Sequence, residues 1–274
     1  MECRVKDIPV YYEEMGAGRP LLMLHGWTLD HRFMSYNMEP LFEHRPGWRR
    51  LYLDLPGMGR TPGADWITCQ DDMLEVALEF LDAVAPGERF AVAGASLGGY
   101  LARGLVYRRR EQIDGMMMWV PVIESDSEKR ILPPHQNLVH DSEFVAALEA
   151  DDQVALDLTV VQSLEGLAAF RASVKPGLLA ADYPFLERVA ANYGFSFDVD
   201  KLTEPCLAPS LIMAGRQDAT CGYRDAWSLL DNFPRGTFAV LDRAGHFLSD
   251  EQKGLFRALV SEWLDRVEEY AARD

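Results

Sequence analysis

The stretch that decides the fold is Arg89-Phe90-Ala91-Val92-Ala93-Gly94-Ala95-Ser96-Leu97-Gly98-Gly99. Its first five residues read as a short buried strand, and Leu97 to Arg109 reads as a helix that follows with almost no connecting loop. Between them lies Gly-x-Ser-x-Gly. A strand that turns so sharply into a helix leaves its central serine strained and exposed, and side chains at positions 94 and 98 would collide with neighbouring backbone. The helix beginning at Leu97 aims free N–H groups at any negative charge that develops next to Ser96.

Working outward, short apolar runs alternate with amphipathic segments. Val10–Glu14 reads as an outer strand. Pro20–Leu24, Arg49–Leu53, Gly115–Val120, Ser210–Ala214 and Thr237–Leu241 read as buried strands beside Arg89–Ala93. Helical spacing covers Asp71–Ala85, Leu97–Arg109, Tyr223–Asn232 and Glu251–Tyr270. Continuous apolar strands alternating with helices predict an α/β fold, with a mostly parallel central sheet covered by helices on both faces. Right-handed crossovers place the carboxyl ends of the strands on one edge, where ligands bind.

The alternation breaks from Val122 to about Asp200. Helical patterns there cover Ser142–Ala150, Val154–Gln162, Leu164–Ala172 and Ala181–Asn192, with no convincing strand. The expected organisation is a core domain of residues 1–121 and 202–274, with an inserted helical cap at 122–201.

A serine hydroxyl needs a base, and the base needs an acid to hold it. The chain has six histidines. Only His246, in Gly245-His246-Phe247 after the last strand, combines a place on the carboxyl edge with a preceding glycine. Asp218, in Gly215-Arg216-Gln217-Asp218, follows the strand Ser210–Ala214 on the same edge. Glu124 and Asp126, after the strand Gly115–Val120, are the alternative acids. The loop His25-Gly26-Trp27 supplies a second oxyanion donor: the amides of Trp27 and Leu97 are expected to flank the acyl oxygen, each donor being worth roughly 3–4 kcal/mol. His25 reads as a structural ring tying that loop down. Trp27 and Phe247 are the expected pocket-lining side chains.

Composition narrows the partners. A net charge of −16 repels nucleic acid and slows approach to an anionic membrane. The four cysteines match no zinc or redox spacing. A polar start without an apolar signal core, and thiols that need no pairing in a domain this large, point to a cytoplasmic protein, monomeric or homodimeric, that acts on a small molecule.

Taken together, Gly94–Gly99, His25-Gly26, Asp54-Leu55-Pro56-Gly57-Met58-Gly59, Gly215–Asp218 and Gly245-His246 resemble the α/β-hydrolase superfamily, in family order, over about residues 10–121 and 205–270. The resemblance implies an α/β-hydrolase fold and a Ser96–His246–Asp218 triad that forms an acyl-enzyme, without metal or cofactor. A serine nucleophile argues against the dehalogenase and epoxide-hydrolase branches, whose nucleophile is aspartate. The absence of His-Gly-Gly-Pro-Gly argues against proline iminopeptidases. Ala95, Leu97 and Phe247 replace residues usual in C–C bond hydrolases. The expected activity is hydrolysis of a carboxylic ester, lactone or thioester. Acyl transfer or C–C cleavage on the same triad, or a ligand-binding protein with little turnover, are the alternatives.

Overall fold

The computed structural model describes residues 1–273. Their strands are β1 (Glu2–Val5), β2 (Ile8–Met15), β3 (Arg19–Leu24), β4 (Trp48–Leu53), β5 (Phe90–Ala95), β6 (Ile113–Trp119), β7 (Ser210–Gly215) and β8 (Gly236–Leu241). They form one sheet in the order β1-β2-β4-β3-β5-β6-β7-β8. The pairs β1–β2 and β2–β4 are antiparallel, and every later pair is parallel. Every residue of β5, β6 and β7 is buried, because helices cover both faces. The mostly parallel sheet expected from the sequence is therefore present.

Helices α1 (His31–Met38), α2 (Gln70–Val84) and α3 (Leu97–Arg109) follow β3, β4 and β5. Between β6 and β7 lie α4 (Ser142–Ala147), α5 (Gln153–Leu158), α6 (Leu164–Ser173), α7 (Lys175–Ala180) and α8 (Tyr183–Ala190). After β8 come α9 (Leu248–Glu251) and α10 (Lys253–Ala271). The apolar stripe of α10 packs Trp263 and Val267 against the sheet, where Gly115 of β6 leaves room for Val267.

One side chain holds both ends of the helical segment that follows β6. Arg103, on α3 and almost wholly buried, donates to the carbonyls of Val122 (3.0 Å) and Ile123 (3.2 Å), and its Nε donates to Asp200 at 3.0 Å. The only extended pairing within that segment, among the described residues, is a single bridge between Val139 and Val161.

Two expectations need correction, and two elements lie outside the expected ones. Residues 225–231 form a 3₁₀ helix where a longer α-helix was expected over Tyr223–Asn232. Its two buried residues, Ala226 and Leu229, are three apart, which suits the tighter winding. The additional elements are strand β1 and helix α1, the latter capped by Asp30, whose side chain accepts from the Arg32 amide. The run expected to be helical from Ser142 to Ala150 stops at Ala147, and a separate short helix, α7, follows α6 with Pro176 in its first turn.

Candidate active site

Ser96 sits at φ 52°, ψ −114°, between the last residue of β5 and the first of α3. Few non-glycine residues adopt such a backbone, and strain of this kind persists only when the surroundings over-determine it. Here they do. The Ser96 amide donates to the Trp119 carbonyl at 3.2 Å, and the Ser96 carbonyl accepts from Val122 at 3.1 Å and from the first turn of α3. A Cβ at Gly94 would meet the backbone of Gly98 and Gly99, and one at Gly98 would meet the Leu24 carbonyl. The two glycines thus let β3, β5 and α3 approach closely enough to hold the turn.

His246 lies in the loop between β8 and α9. Its Nε2 is 3.2 Å from Ser96 Oγ, across 150 residues of chain. Its Nδ1 is 3.0 Å from Asp218 Oδ2. Asp218 is wholly buried, and its Oδ1 accepts from the amides of Thr220 (2.8 Å) and Cys221 (3.0 Å), which fixes the carboxylate plane toward the ring. The histidine responds to this setting. Burial works against the charged ring, but the charge of Asp218 and, after it, the interaction with Cys221 outweigh it, so His246 titrates well above 6.5, its ordinary value. The alternative acids are engaged elsewhere: Glu124 accepts from the Asp126 amide at 2.9 Å, and Asp126 pairs with Lys129 at 3.0 Å.

The residues expected to shape the pocket are also at hand. Trp27 and Phe247 line a cavity of about 170 Å³ beside Ser96 and His246. Val154 and Leu158 of α5, with Val174 and Leu178 farther along, form its other wall. Among the described residues, neither the Trp27 amide, in the loop after β3, nor that of Leu97 meets an acceptor; Leu97 is the first residue of α3, and a helix start leaves its first N–H groups free. His25 holds the Trp27 loop. Its Nε2 accepts from the Leu55 amide at 3.0 Å, so Nδ1 carries the proton and donates to Gly26 O at 2.8 Å. Burial lowers its pKa and keeps the ring neutral.

A model described as the alpha/beta hydrolase family matches residues 21–258. The chain belongs to that family. It is 24% identical to the AB hydrolase superfamily protein YisY of Bacillus subtilis, across 94% of this chain and 96% of that one. It is 22% identical to the pimeloyl-[acyl-carrier protein] methyl ester esterase of Legionella pneumophila, across 93% and 99%. An alpha/beta superfamily hydrolase from Oenococcus oeni superposes with a TM-score of 0.88 at 28% identity, covering 94% of this chain and 96% of the other. The eight-stranded sheet is thus the fold of an alpha/beta hydrolase.

As an alpha/beta hydrolase this chain has two neighbours of the site, Cys221 and Glu251, that sequence reasoning missed. Cys221 Sγ is 4.0 Å from Ser96 Oγ. Glu251 accepts from the Gly245 amide at 2.6 Å, next to His246. Asp54 Oδ1 accepts from the His31 amide (2.7 Å) and lies 2.8 Å from His31 Nδ1, while its Oδ2 accepts from the Arg60 amide (2.9 Å). The Asp54–Gly59 motif flagged Asp54 only as part of a structural turn. Cys221 and Glu251 had no signal, since nothing in their local sequence says what they touch. Among the described residues, Asp218, Cys221 and His246, and separately Asp30, His31 and Asp54, are the groups whose donor atoms are close enough to share a cation. The second set is already satisfied internally, with Asp30 paired to Arg32 and Asp54 to His31.

Proposed function

We propose that this chain is a serine hydrolase that cleaves a carboxylic ester, lactone or thioester through an acyl-enzyme on Ser96. The observation that carries the reading is the 3.2 Å approach of His246 Nε2 to Ser96 Oγ, with Asp218 3.0 Å from the other ring nitrogen. Ser96 Oγ attacks the acyl carbon while Nε2 takes its proton. The carbonyl π pair moves to oxygen, and the amides of Trp27 and Leu97 donate to that oxyanion. Asp218 stabilises the imidazolium. As the intermediate collapses, His246 returns the proton to the leaving alcohol or thiol. Water, deprotonated by His246, then attacks the acyl-enzyme. A second collapse frees the acid and restores Ser96.

In this reading residues 122–201 act as a cap that roofs the nucleophile and sets which acyl or alcohol group fits. The curated relatives named as methyl ester esterases support an ester bond as the target.

The test is hydrolysis of p-nitrophenyl acetate and butyrate by the wild type and by Ser96→Ala. The variant is expected to lose activity by at least about 10⁴-fold with an unchanged thermal transition. Equal turnover by both proteins would overturn the proposal.

A further inference from the structure

Beside the Ser96 cavity lies a second one of about 190 Å³, lined by Thr159, Val161, Ser163 and Phe170 on one side and by Asp250 and Glu251 on another. Two residues, Val174 and Phe247, line both cavities. Phe247 directly follows His246, and its ring meets Phe170 edge-on with centroids 6.0 Å apart. Each cavity alone is smaller than the roughly 300 Å³ at which small-molecule sites begin, and the two together exceed it. The inner one is walled mainly by aliphatic and aromatic side chains, so it suits a hydrocarbon chain more than a polar group.

We propose that the two cavities form one binding site for an unbranched, medium-length acyl chain, divided by the Phe247 ring, which swings aside to admit the chain's far end. The inference rests on the serine-hydrolase reading of Ser96 and adds a substrate class to it. The distal chamber also sets the character of the chain end. Among the described residues its wall carries the carboxyl groups of Glu165, Asp250 and Glu251 and no lysine or arginine. Glu165 is paired with Lys253 at 2.6 Å, and both Glu251 oxygens accept from backbone amides. One oxygen of Asp250 has no partner. A chain ending in a carboxylate would be desolvated against these groups with no lysine or arginine on the wall to receive it, whereas a methyl end brings no charge of its own to desolvate.

The experiment compares p-nitrophenyl butyrate, p-nitrophenyl octanoate and the mono-p-nitrophenyl ester of suberic acid. Phe247→Ala removes the divider and is expected to raise the octanoate-to-butyrate ratio of kcat/KM at least tenfold. Val161→Trp fills the distal chamber without lining the inner one and is expected to lower that ratio at least tenfold. The suberate half ester is expected to turn over at least tenfold less well than octanoate. A second measurement does not depend on turnover: octanoate binding to Ser96→Ala is expected to weaken at least tenfold when Val161→Trp is added. If butyrate is hydrolysed but both ratios stay within threefold of wild type and octanoate binding is unmoved, the shared site is refuted while the serine-hydrolase reading stands. If octanoate binds as expected and no ester is cleaved, the opposite holds. Equal turnover of octanoate and the suberate half ester overturns the charge selectivity.

Discussion

The thiol of Cys221 lies 4.0 Å from the hydroxyl of Ser96, and the Cys221 amide donates to Asp218 at 3.0 Å. One residue therefore touches both the nucleophile and the group that orients the base. Its backbone holds the carboxylate, and its side chain interacts with the imidazole in a way that favours the protonated ring. Both effects bear on how tightly His246 keeps its proton.

The pH dependence follows with a definite sign. His246 must be neutral to act as a base, and its pKa is raised above 6.5 in the folded protein, against the opposing effect of burial. The acid limb of kcat/KM is therefore expected above pH 6.5, with activity rising through the alkaline side of neutrality. A histidine whose folded pKa is raised stabilises the fold fully below its unfolded value. That contribution is lost as pH rises through the folded value. Tm should fall over the same interval in which kcat/KM climbs, and His246→Gln should flatten that part of the Tm profile. Cys221→Ala should move the acid limb to lower pH. A limb that stays at its wild-type position in Cys221→Ala would remove the thiol from this account.

Asp218→Asn keeps the shape of the acid but removes the charge that holds the imidazolium and selects its tautomer. We expect kcat to fall about 10³–10⁴-fold, with the acid limb shifted below its wild-type position because the largest charge raising the His246 pKa is gone. Stopped assays with p-nitrophenyl butyrate across pH 6 to 9 give both readings.

Asp250 is a site where the fold bears an electrostatic cost. Burial raises its pKa to about 6, although Lys253 and Arg257 pull the other way. Here the folded value exceeds the unfolded 3.8, the reverse of a paired carboxylate. The native state binds the extra proton between about pH 4 and pH 6, so stability declines as pH rises through that window. Asp250→Asn is expected to stabilise the protein by up to about 3 kcal/mol at pH 7 and by little at pH 4. Denaturant titrations at the two pH values check this, and a variant that is less stable at pH 7 contradicts it.

Arg103 predicts a different failure. Replacing it with methionine keeps the buried volume of the stem but leaves the carbonyls of Val122 and Ile123 without their donor and Asp200 without its cation. Breaking a buried charged pair of this kind costs about 3–5 kcal/mol. The figure here belongs at the low end, because the Asp200 side chain is 37% exposed. Since the lost bonds hold both ends of the segment that follows β6, limited proteolysis of Arg103→Met should cut first near residues 122–130 or 194–204. Cleavage kinetics identical to wild type would mean that the segment is held by packing alone.

Much of this was legible in the sequence because the decisive groups act through the backbone. Gly94, Ser96 and Gly98 announce a strand-to-helix turn whose geometry only small residues permit. His246 and Asp218 each follow an apolar run that ends in glycine, which places them on one edge without any knowledge of contacts. What was hidden depends on tertiary partners. Neither Cys221 nor Arg103 carries a local pattern, and their neighbours are 125 and 97 residues away. The helices between β6 and β7 were visible as helical spacing, but their ends were not, because short helices with Pro176 and Pro184 in their first turns are set by packing more than by propensity.

Glu251 offers the most discriminating test of how the His246 loop is held. Its Oε2 accepts from the Gly245 amide at 2.6 Å, and its Oε1 accepts from Val160 (2.6 Å) and Val161 (3.2 Å), so one carboxylate joins the loop before His246 to the chain after α5. Burial raises its pKa, while the three amides favour the charged form. Glu251→Ala strands three N–H groups at about 1–3 kcal/mol apiece where water cannot reach them. Glu251→Gln is the sharper variant. Its amide nitrogen has no lone pair to accept with, so one end of the side chain must face an N–H with another N–H. If Glu251 acts only as an acceptor for these amides, glutamine should rescue no more than half of the alanine variant's loss in stability. For the short p-nitrophenyl butyrate it should also leave kcat depressed with KM nearly unchanged, because the base is misplaced while the inner cavity, which Glu251 does not line, is not. Full rescue by glutamine would show that volume, not hydrogen bonding, positions the His246 loop.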